Sequence, residues 1–380
     1  MEIGLYIHVP FCVQKCLYCD FTSYDNMPDM YWPYTEALLQ ELAREGASLE
    51  KEGVKVATVY IGGGTPTALP EECLTRLLER IAECFSLLPG AEITMEVNPG
   101  TADVKKMELL RKLGVNRLSF GVQSFDDEVL ETCGRIHRSG EAVAALRDAK
   151  KAGFTNYSLD LMYGLPGQSV VSFRESLELA LELGVSHISV YGLKVEENTP
   201  FSYLARQGKL ALPPEEEEES MYLLVNEMLP KAGFRRYEIS NYALPGFESA
   251  HNLRYWQYKS YLGIGVAAHS FIKGCRYANT HDVHEYIETV NRGGSPRSER
   301  EETDVCSAMA EFVFLALRTA DGMLKKDFSA QFEVDFTAIY GKVAAELAQK
   351  GLLNDLPECI SLTERGMQFG NQVFEQFLPE

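Results

Sequence analysis

Three cysteines near the start of the chain are spaced like the ligands of a metal centre. Cys12, Cys16 and Cys19 follow the pattern Cys-x3-Cys-x2-Cys, directly after the apolar, β-prone stretch Ile3–His8. Clustered thiolates in such a loop bind zinc or an iron–sulfur cluster. A structural zinc site usually has four protein ligands, whereas the position two residues after Cys19 is Phe21.

Three interpretations of these thiols are open at this point. A zinc site would need His8 or a distant cysteine as its fourth ligand. Free thiols with a structural role are a second alternative. The third is a [4Fe–4S] cluster held by three cysteines, with one iron left open to bind a small molecule directly. We favour the third interpretation because it accounts for the missing fourth thiolate.

Composition excludes several classes of protein. The chain has 380 residues, of which 46% are hydrophobic and 24% charged, and no apolar run is long enough for a transmembrane helix. The start of the chain has no signal-peptide pattern, and nine cysteines without close pairs outside the triplet indicate a reduced, cytoplasmic protein. A net charge of −19 argues against a nucleic-acid partner.

Strand-like and helical segments alternate along the first half of the chain, which predicts βαβ units and a parallel sheet of the α/β class. The six predicted strands are Ile3–His8, 56–61, 91–97, Val115–Gly121, Tyr157–Leu161 and 187–193. Polar or glycine residues recur where four of these strands end: Gly62–Thr65, Glu96, Gln123 and Asp160. Because the carboxyl ends of parallel strands meet at one edge, we expect these side chains to share a site.

The pattern changes twice further along the chain. We predict a barrel over residues 1–200 and an extension of it over 201–300, where the periodicity loosens and where the acidic run 215–219 opens a solvated helix. Residues 301–380 have the order helix, helix, helix, hairpin and last helix, which predicts a mainly helical, winged-helix-like domain. This domain has more acidic than basic residues, so we do not expect it to bind DNA.

Six further motifs identify a family. YIHVPFC, GGGTPT, EVNP, GVQSF, GRIH and DLMYGLPGQ occur in this order. With the cysteine triplet after a first strand, they resemble the radical S-adenosylmethionine (SAM) superfamily, and within it oxygen-independent coproporphyrinogen III dehydrogenase (HemN) and its relative HemW. The resemblance implies a partial (β/α)6 barrel, similar to a TIM barrel, with a [4Fe–4S] cluster whose open iron binds SAM. In that superfamily reduction of the cluster cleaves SAM to a 5′-deoxyadenosyl radical.

The resemblance also assigns roles to residues. It implies that Cys12, Cys16 and Cys19 hold the cluster. The residues that it implies as contacts of SAM are Tyr6, Gly63, Gly64, Thr65, Glu96, Gln123, Arg135 and Asp160. Carboxylates suit ribose hydroxyls or an ammonium group, and arginine suits a carboxylate.

Three features resemble HemW-type haem chaperones more than HemN. HemN has a fourth cysteine at the position of Phe21, and it has an N-terminal extension before the first strand. The stretch HNLRYW at 251–256 fits the HemW motif HNxxYW. The resemblance therefore implies a chaperone that binds haem and delivers it to acceptor haemoproteins, including membrane-associated ones, without coproporphyrinogen dehydrogenase activity. A homodimer is a further expectation that no residue supports.

The HNLRYW stretch suggests how haem is bound. The neutral imidazole of His251 suits haem iron as an axial ligand, and Tyr255 and Trp256 can stack on a flat porphyrin. In the alternative, His251 and Asn252 cap a turn while Trp256 fills a core. His269, in GIGVAAHS, is a second candidate near the SAM cavity.

The alternative function is a radical SAM oxidoreductase of tetrapyrrole synthesis, like HemN. Such an enzyme would bind the propionates of its substrate with basic side chains. The candidates in the second half of the chain are Arg235, Arg236, Arg254 and Arg276.

Overall fold

A computed structural model describes residues 1–379 of the chain. The strands are β1 Glu2–Val9, β2 Phe11–Cys12, β3 Tyr24–Asp25, β4 Lys55–Gly63, β5 Leu87–Val97, β6 Arg117–Gln123, β7 Tyr157–Tyr163, β8 His187–Gly192, β9 Arg235–Arg236, β10 Asn241–Ala243, β11 Tyr261–Ile264, β12 His269–Ile272, β13 Cys275–Asn279, β14 Arg297–Glu302, β15 Met323–Leu324, β16 Leu353–Asp355 and β17 Cys359–Leu362.

The helices connect and flank these strands. They are α1 Tyr31–Lys51, α2 Glu71–Cys84, α3 Val104–Lys112, α4 Asp127–Thr132, α5 Ser139–Lys151, α6 Val170–Glu182, α7 Pro200–Arg206, α8 Glu215–Lys231, α9 Ala250–Trp256, α10 Val283–Asn291, α11 Val305–Leu317, α12 Lys325–Phe332, α13 Phe336–Gln349, α14 Glu364–Gln368 and α15 Gly370–Glu375. No helix within residues 1–379 is long and apolar enough to span a bilayer.

The main sheet contains the predicted parallel strands. Its order is β14-β13-β12-β11-β1-β4-β5-β6-β7-β8-β10-β9. The pairs from β1–β4 through β7–β8 are all parallel, and helices lie between these strands in the sequence. The predicted six-stranded α/β architecture is therefore confirmed, and the sheet is open at β14 and β9.

A seventh parallel strand was not predicted. Strand β11 pairs with the other side of β1, from Gly4 opposite Tyr261 to Ile7 opposite Ile264. Antiparallel strands β12, β13 and β14 continue the sheet from there. Only four residues form β11, and they lie between tyrosines and glycines, so the local pattern resembled a loop.

Glycine at position 4 makes room for the segment that precedes β11. A Cβ atom on Gly4 would lie 3.2 Å from side-chain atoms of Thr58, His251 and Arg254. Because this separation is tighter than ordinary van der Waals contact, a larger residue would push α9 away from β1 and β4.

The C-terminal part has its own apolar cluster. Buried side chains of α11, α12 and α13, which include Val313, Phe328 and Phe336, pack with the three-stranded sheet β15-β17-β16, to which Ile360 belongs. The order of helices and hairpin is the winged-helix-like order predicted for residues 301–380. The boundaries of the three-part division stay a prediction.

A buried carboxylate ties the extension to the barrel. Glu41 on α1 accepts hydrogen bonds from Gly265 N at 2.9 Å, Asn279 Nδ2 at 2.8 Å and the Tyr286 hydroxyl at 2.5 Å. Burial raises the pKa of Glu41, and these three hydrogen bonds oppose the rise. The carboxylate therefore fixes the turn after β11 and the end of β13.

We predict that Glu41→Ala loosens this turn. The substitution leaves the Asn279, Tyr286 and Gly265 donors without their acceptor, at a cost of about 2–4 kcal/mol in the free energy of unfolding. Urea unfolding measures the loss, and amide hydrogen exchange locates it at Gly265. Glu50→Ala, at an exposed position of the same helix, is the control. Equal stability and equal exchange in the two variants would contradict the assignment.

Candidate functional site

The cysteine loop lies at the carboxyl end of β1 and is closed by a short strand pair. Strands β2 and β3 align Phe11 with Tyr24 and Cys12 with Asp25. Inside the loop, the Lys15 ammonium donates to the carbonyl oxygens of Phe21 at 2.7 Å and Ser23 at 3.2 Å. These bonds keep the loop folded back on itself.

Polar groups contact two of the three thiols. The Arg135 Nη1 atom lies 3.2 Å from Cys16 Sγ, and the Thr65 hydroxyl lies 3.6 Å from Cys12 Sγ. Burial raises the pKa of the Cys12 and Cys19 thiols, so a bound metal cation would be needed to favour their thiolate forms at neutral pH. The guanidinium of Arg135 offsets the negative charge that three thiolates bring together.

The arrangement fits a cluster. No three His, Cys, Asp or Glu side chains within residues 1–379 are placed to hold a single metal ion. A [4Fe–4S] cluster is bound at three different iron atoms, so its cysteines need not converge on one point. The three cysteines line a common cavity next to a cation, which fits a cluster with an open iron.

A fourth cysteine lies nearby but faces elsewhere. Cys133 is fully buried in an apolar cluster with Val129, Met162 and Phe201. Burial is the main cause that raises its pKa, to about 12, followed by the neighbouring Cys16. Its carbonyl oxygen accepts a hydrogen bond from Leu17 N at 3.1 Å, which anchors the cysteine loop to the end of α4.

A cavity of about 140 Å³ adjoins the thiols. Its walls include the three cysteines and seven of the eight residues predicted to contact SAM: Gly63, Gly64, Thr65, Glu96, Gln123, Arg135 and Asp160. Further lining residues that are not predicted from the sequence include Tyr18, Asn98, Ser119 and Tyr191. Of these four, Asn98 belongs to the motif EVNP, whereas none of the six motifs contains the other three.

The glycines of GGGTP fit against the cysteine loop as well as the cavity. Gly63 has φ +110°, and an added Cβ would lie 2.5 Å from the ring of His8. A Cβ on Gly64 would lie 2.8–3.0 Å from backbone atoms of Phe11. Only glycine therefore allows the end of β4 to pack against the end of β1.

Glu96 is the charged group at the centre of the site. Its carboxylate accepts hydrogen bonds from the Tyr60 hydroxyl at 2.7 Å and from Gly63 N at 3.0 Å. Burial is the main cause that raises the pKa of Glu96, to about 7, and the nearby carboxyl of Asp160 contributes to this rise. Burial also raises the pKa of Asp160.

Two more predicted residues are held by the ends of β5 and β6. Arg135 donates to the Asn98 side chain and to the carbonyl oxygen of Gly121. Gln123 has φ +70°, a strained conformation for a residue other than glycine, and accepts a hydrogen bond from the Tyr191 hydroxyl at 3.2 Å. Such strain persists only where the surrounding structure enforces it.

A second, larger cavity of about 640 Å³ shares Phe21, Gly63 and Glu96 with the first. Its lining is rich in aromatic rings and also contains cations and histidines. These residues include Tyr6, His8, Tyr255, Trp256, Tyr258, Lys259, Tyr261, Ala267, His269, Phe271, Arg276 and His281. Tyr6, predicted to contact SAM, thus faces the larger cavity, where its hydroxyl lies 2.9 Å from His8 Nδ1.

The HNLRYW stretch forms α9, and only part of it reaches the larger cavity. Tyr255 and Trp256 line the cavity, whereas His251 is buried behind them. Its Nδ1 lies 2.8 Å from the Thr58 hydroxyl and its Nε2 lies 2.8 Å from the Tyr255 hydroxyl. Burial lowers the pKa of His251 to about 3, so the ring is neutral. Ligation of iron by His251 stays a prediction, and it would require the loss of one of these bonds.

The alternative interpretation of HNLRYW also differs from the structure. The side chain that caps α9 is Ser249, which accepts a hydrogen bond from Asn252 N. Trp256 is half-buried and lines the cavity, and its indole Nε1 has no hydrogen-bond partner within residues 1–379.

Four arginines are candidates to bind the propionates of a substrate. Among the residues that the structure describes, one of these four, Arg276, lines the larger cavity. It is paired with Glu311 at 2.6 Å. Arg254 donates to the carbonyl oxygen of Glu2 at 2.8 Å. Arg236 binds the carbonyl oxygen of Ile239, and its neighbour Arg235 is exposed in β9.

Comparison with known proteins agrees with this geometry. Residues 6–180 match the family model of the radical SAM superfamily, and residues 307–369 match that of the HemN C-terminal domain. The matched range contains the three cysteines and every residue predicted to contact SAM.

Full-length relatives are similar to the whole chain. The heme chaperone HemW of Bacillus subtilis is 40% identical over 378 residues, with 99% of each chain covered. The heme chaperone HemW of Escherichia coli is 35% identical over 382 residues, covering 100% of this chain and 98% of the relative. The solved structure of coproporphyrinogen III oxidase (HemN) from Escherichia coli has a TM-score of 0.87 and 26% identity, covering 99% of this chain and 90% of that one.

We predict that Cys16→Ala abolishes cluster binding. After anaerobic reconstitution the wild type should hold four irons per chain, and the variant should lose them together because a cluster with two protein ligands is not retained. Iron and zinc analysis with absorption spectra measures this. Cys133→Ala is the matched control, since Cys133 lies close to the loop but outside the cavity. Stoichiometric zinc in the wild type, lost in both variants, would favour a four-cysteine zinc site instead.

We predict that Glu96 makes the metal-free protein less stable as the pH rises. Because its pKa is about 7 in the folded protein and 4.5 in the unfolded chain, folding takes up a proton between these values. Between pH 5 and pH 8 the free energy of unfolding of the wild type should therefore fall by about 1–3 kcal/mol more than that of Glu96→Gln. Urea unfolding across this range measures the difference. Parallel pH profiles of the two proteins would show that the carboxyl is not perturbed.

Proposed function

The chain belongs to the heme chaperone HemW family of radical SAM proteins, and from this membership we propose that it binds haem in the larger cavity and delivers it to acceptor haemoproteins. The observation that carries the proposal is the aromatic cavity of about 640 Å³ next to the cysteine loop. HNLRYW supplies two of its rings, Tyr255 and Trp256.

The lining of the cavity suits a porphyrin. Haem is a flat aromatic disc with two negatively charged propionates, so it is complemented by aromatic rings and by cations near an opening. Two of the rings already contact cations. The Cζ atom of Arg318 lies 4.6 Å from the ring centroid of Trp256, and the Cζ atom of Arg276 lies 5.0 Å from that of Phe271. Arg276 and the exposed Lys259 can pair with propionates, although Arg276 already contacts Glu311.

The smaller cavity suits the cofactors that the radical SAM family implies, a [4Fe–4S] cluster and SAM. Cys12, Cys16 and Cys19 would hold the cluster, and the strand-end residues around Glu96 would contact SAM. When bound, these groups supply an electron-transfer and radical-forming centre. Phe21, Gly63 and Glu96 separate this centre from the haem cavity, so its state can influence how haem is held.

A HemN-like dehydrogenase is less well supported. The chain is more similar to the HemW relatives than to the HemN structure, and Phe21 occupies the place of the fourth HemN cysteine. Reconstituted protein should not convert coproporphyrinogen III. Robust formation of protoporphyrinogen would overturn the chaperone proposal.

The transfer itself is tested directly. Haem-loaded protein, freed of unbound haem, is mixed with an apo-haemoprotein whose holo form has a distinct spectrum. We expect transfer faster than haem release into buffer, because a chaperone hands over its cargo on contact. A rate equal to that of passive release would contradict delivery.

Four expectations stay predictions: the identity of the acceptors, their association with membranes, the homodimer and the cytoplasmic location.

We predict that Trp256→Ala weakens haem binding by about tenfold or more, because it removes a large stacking surface from the cavity. Titration of haem followed by absorption measures the affinity. Trp32→Ala is the matched control: it alters the other tryptophan of the chain, which is exposed on α1 and outside both cavities. Unchanged affinity in Trp256→Ala would place haem elsewhere.

A further inference from the structure

Two histidines in the larger cavity are free to bind a ligand. His269 and His281 are exposed and line the cavity, and no hydrogen bond occupies either ring within the described residues. The nitrogens of an imidazole that lines a cavity and makes no hydrogen bond are available to bind a metal.

The other two histidines near this cavity are engaged. His8 lines the cavity, but its Nε2 donates to the carbonyl oxygen of Thr22 at 2.8 Å, and its Nδ1 therefore accepts from the Tyr6 hydroxyl at 2.9 Å. Burial lowers its pKa to about 4, which keeps it neutral and hydrogen-bonded. His251, behind the cavity wall, is bonded at both nitrogens as described above.

The separation of the two free rings matches a metal between them. The ring centroids of His269 and His281 are 6.4 Å apart, and the ring planes are inclined by 64°. A metal lies about 2.0 Å from an imidazole nitrogen, so two rings on opposite sides of one metal have centroids roughly 6 Å apart. The observed centroid separation of 6.4 Å is therefore close to that of two imidazoles bound to one metal.

Both histidines are fixed by the same hairpin. His269 is the first residue of β12 and pairs with Ala278 of β13, and His281 follows β13 by two residues. The carbonyl oxygen of His281 accepts a hydrogen bond from the Tyr24 hydroxyl at 2.6 Å, which links it to the strand that closes the cysteine loop. Ala267, two residues before His269, has φ +55°, a strained conformation for a residue other than glycine. Such a conformation persists only where the surrounding structure holds the backbone in place.

We propose that His269 and His281 are the two axial ligands of the haem iron. This inference rests on the proposed function, and it assigns the iron to these residues rather than to His251. Each imidazole nitrogen donates a lone pair to the iron, so binding changes no oxidation state and needs no oxidant or reductant. During delivery the bond from iron to one histidine breaks as a ligand of the acceptor forms its own bond, and the oxidation state of the iron is unchanged.

The experiment is a titration of ferric haem into the full-length protein, followed by absorption and electron paramagnetic resonance. We expect the wild type to bind one haem per chain in a low-spin, six-coordinate state. His269→Ala and His281→Ala should each convert bound haem to a high-spin state and weaken binding by at least about tenfold. Added imidazole should restore the low-spin spectrum in each variant, because it refills the vacated position.

The controls separate this inference from the proposed function. His284→Ala changes an exposed histidine three residues after His281 and outside the cavity, and it should behave as the wild type. If the wild type binds no haem in the cavity, the proposed function fails. If it binds haem but the His269 and His281 variants keep the wild-type spectrum and affinity, haem binding stands and the histidine assignment is overturned. Both side chains are exposed, so unchanged circular dichroism should confirm that the variants fold.

Discussion

The position of β1 between β4 and β11 is the constraint on which both cavities depend. Because β1 leads directly into the cysteine loop, any strand beside it brings its own neighbours to the same edge of the sheet. Helix α9 precedes β11 and the hairpin β12–β13 follows it. Gly4 leaves the space that α9 needs, and the Glu41 carboxylate fixes the turn after the strand. The larger cavity therefore lies next to the cysteine loop.

The wall between the two cavities is an electrostatic link as well as a barrier. Glu96 contacts both, and burial raises its pKa to about 7, so a charge placed in either cavity shifts the balance between its protonated and ionised forms. Gly63 donates to the same carboxylate and packs on His8, which itself borders the larger cavity. A chaperone that must hold and release its cargo has use for such a coupled boundary.

Particular residues show how far prediction from the sequence reached. The three cysteines and seven of the predicted SAM contacts line one cavity: Gly63, Gly64, Thr65, Glu96, Gln123, Arg135 and Asp160. They meet because parallel strands bring their carboxyl ends to one edge of the sheet, independently of the conformation of the connecting loops. Tyr6, expected as a contact of SAM, faces the larger cavity, because side chains alternate along a strand and the neighbouring strands β4 and β11 decide what each face meets. Tyr191 and His281 carried no local signal, since their place depends on packing between distant segments.

The sequence by itself determined the α/β class, the cysteine site and the family. The spacing of the cysteines and the residues at strand ends are local properties of the sequence, so they do not depend on which distant segments pack together. The tertiary structure alone decided which histidines are available. His251 stands in the recognisable motif, yet Thr58 and Tyr255 occupy its nitrogens. His269 and His281 lie twelve positions apart in the sequence, and both line the larger cavity with ring centroids 6.4 Å apart. Availability of a ligand depends on hydrogen-bond partners from other elements, and those partners are set only when the chain has folded.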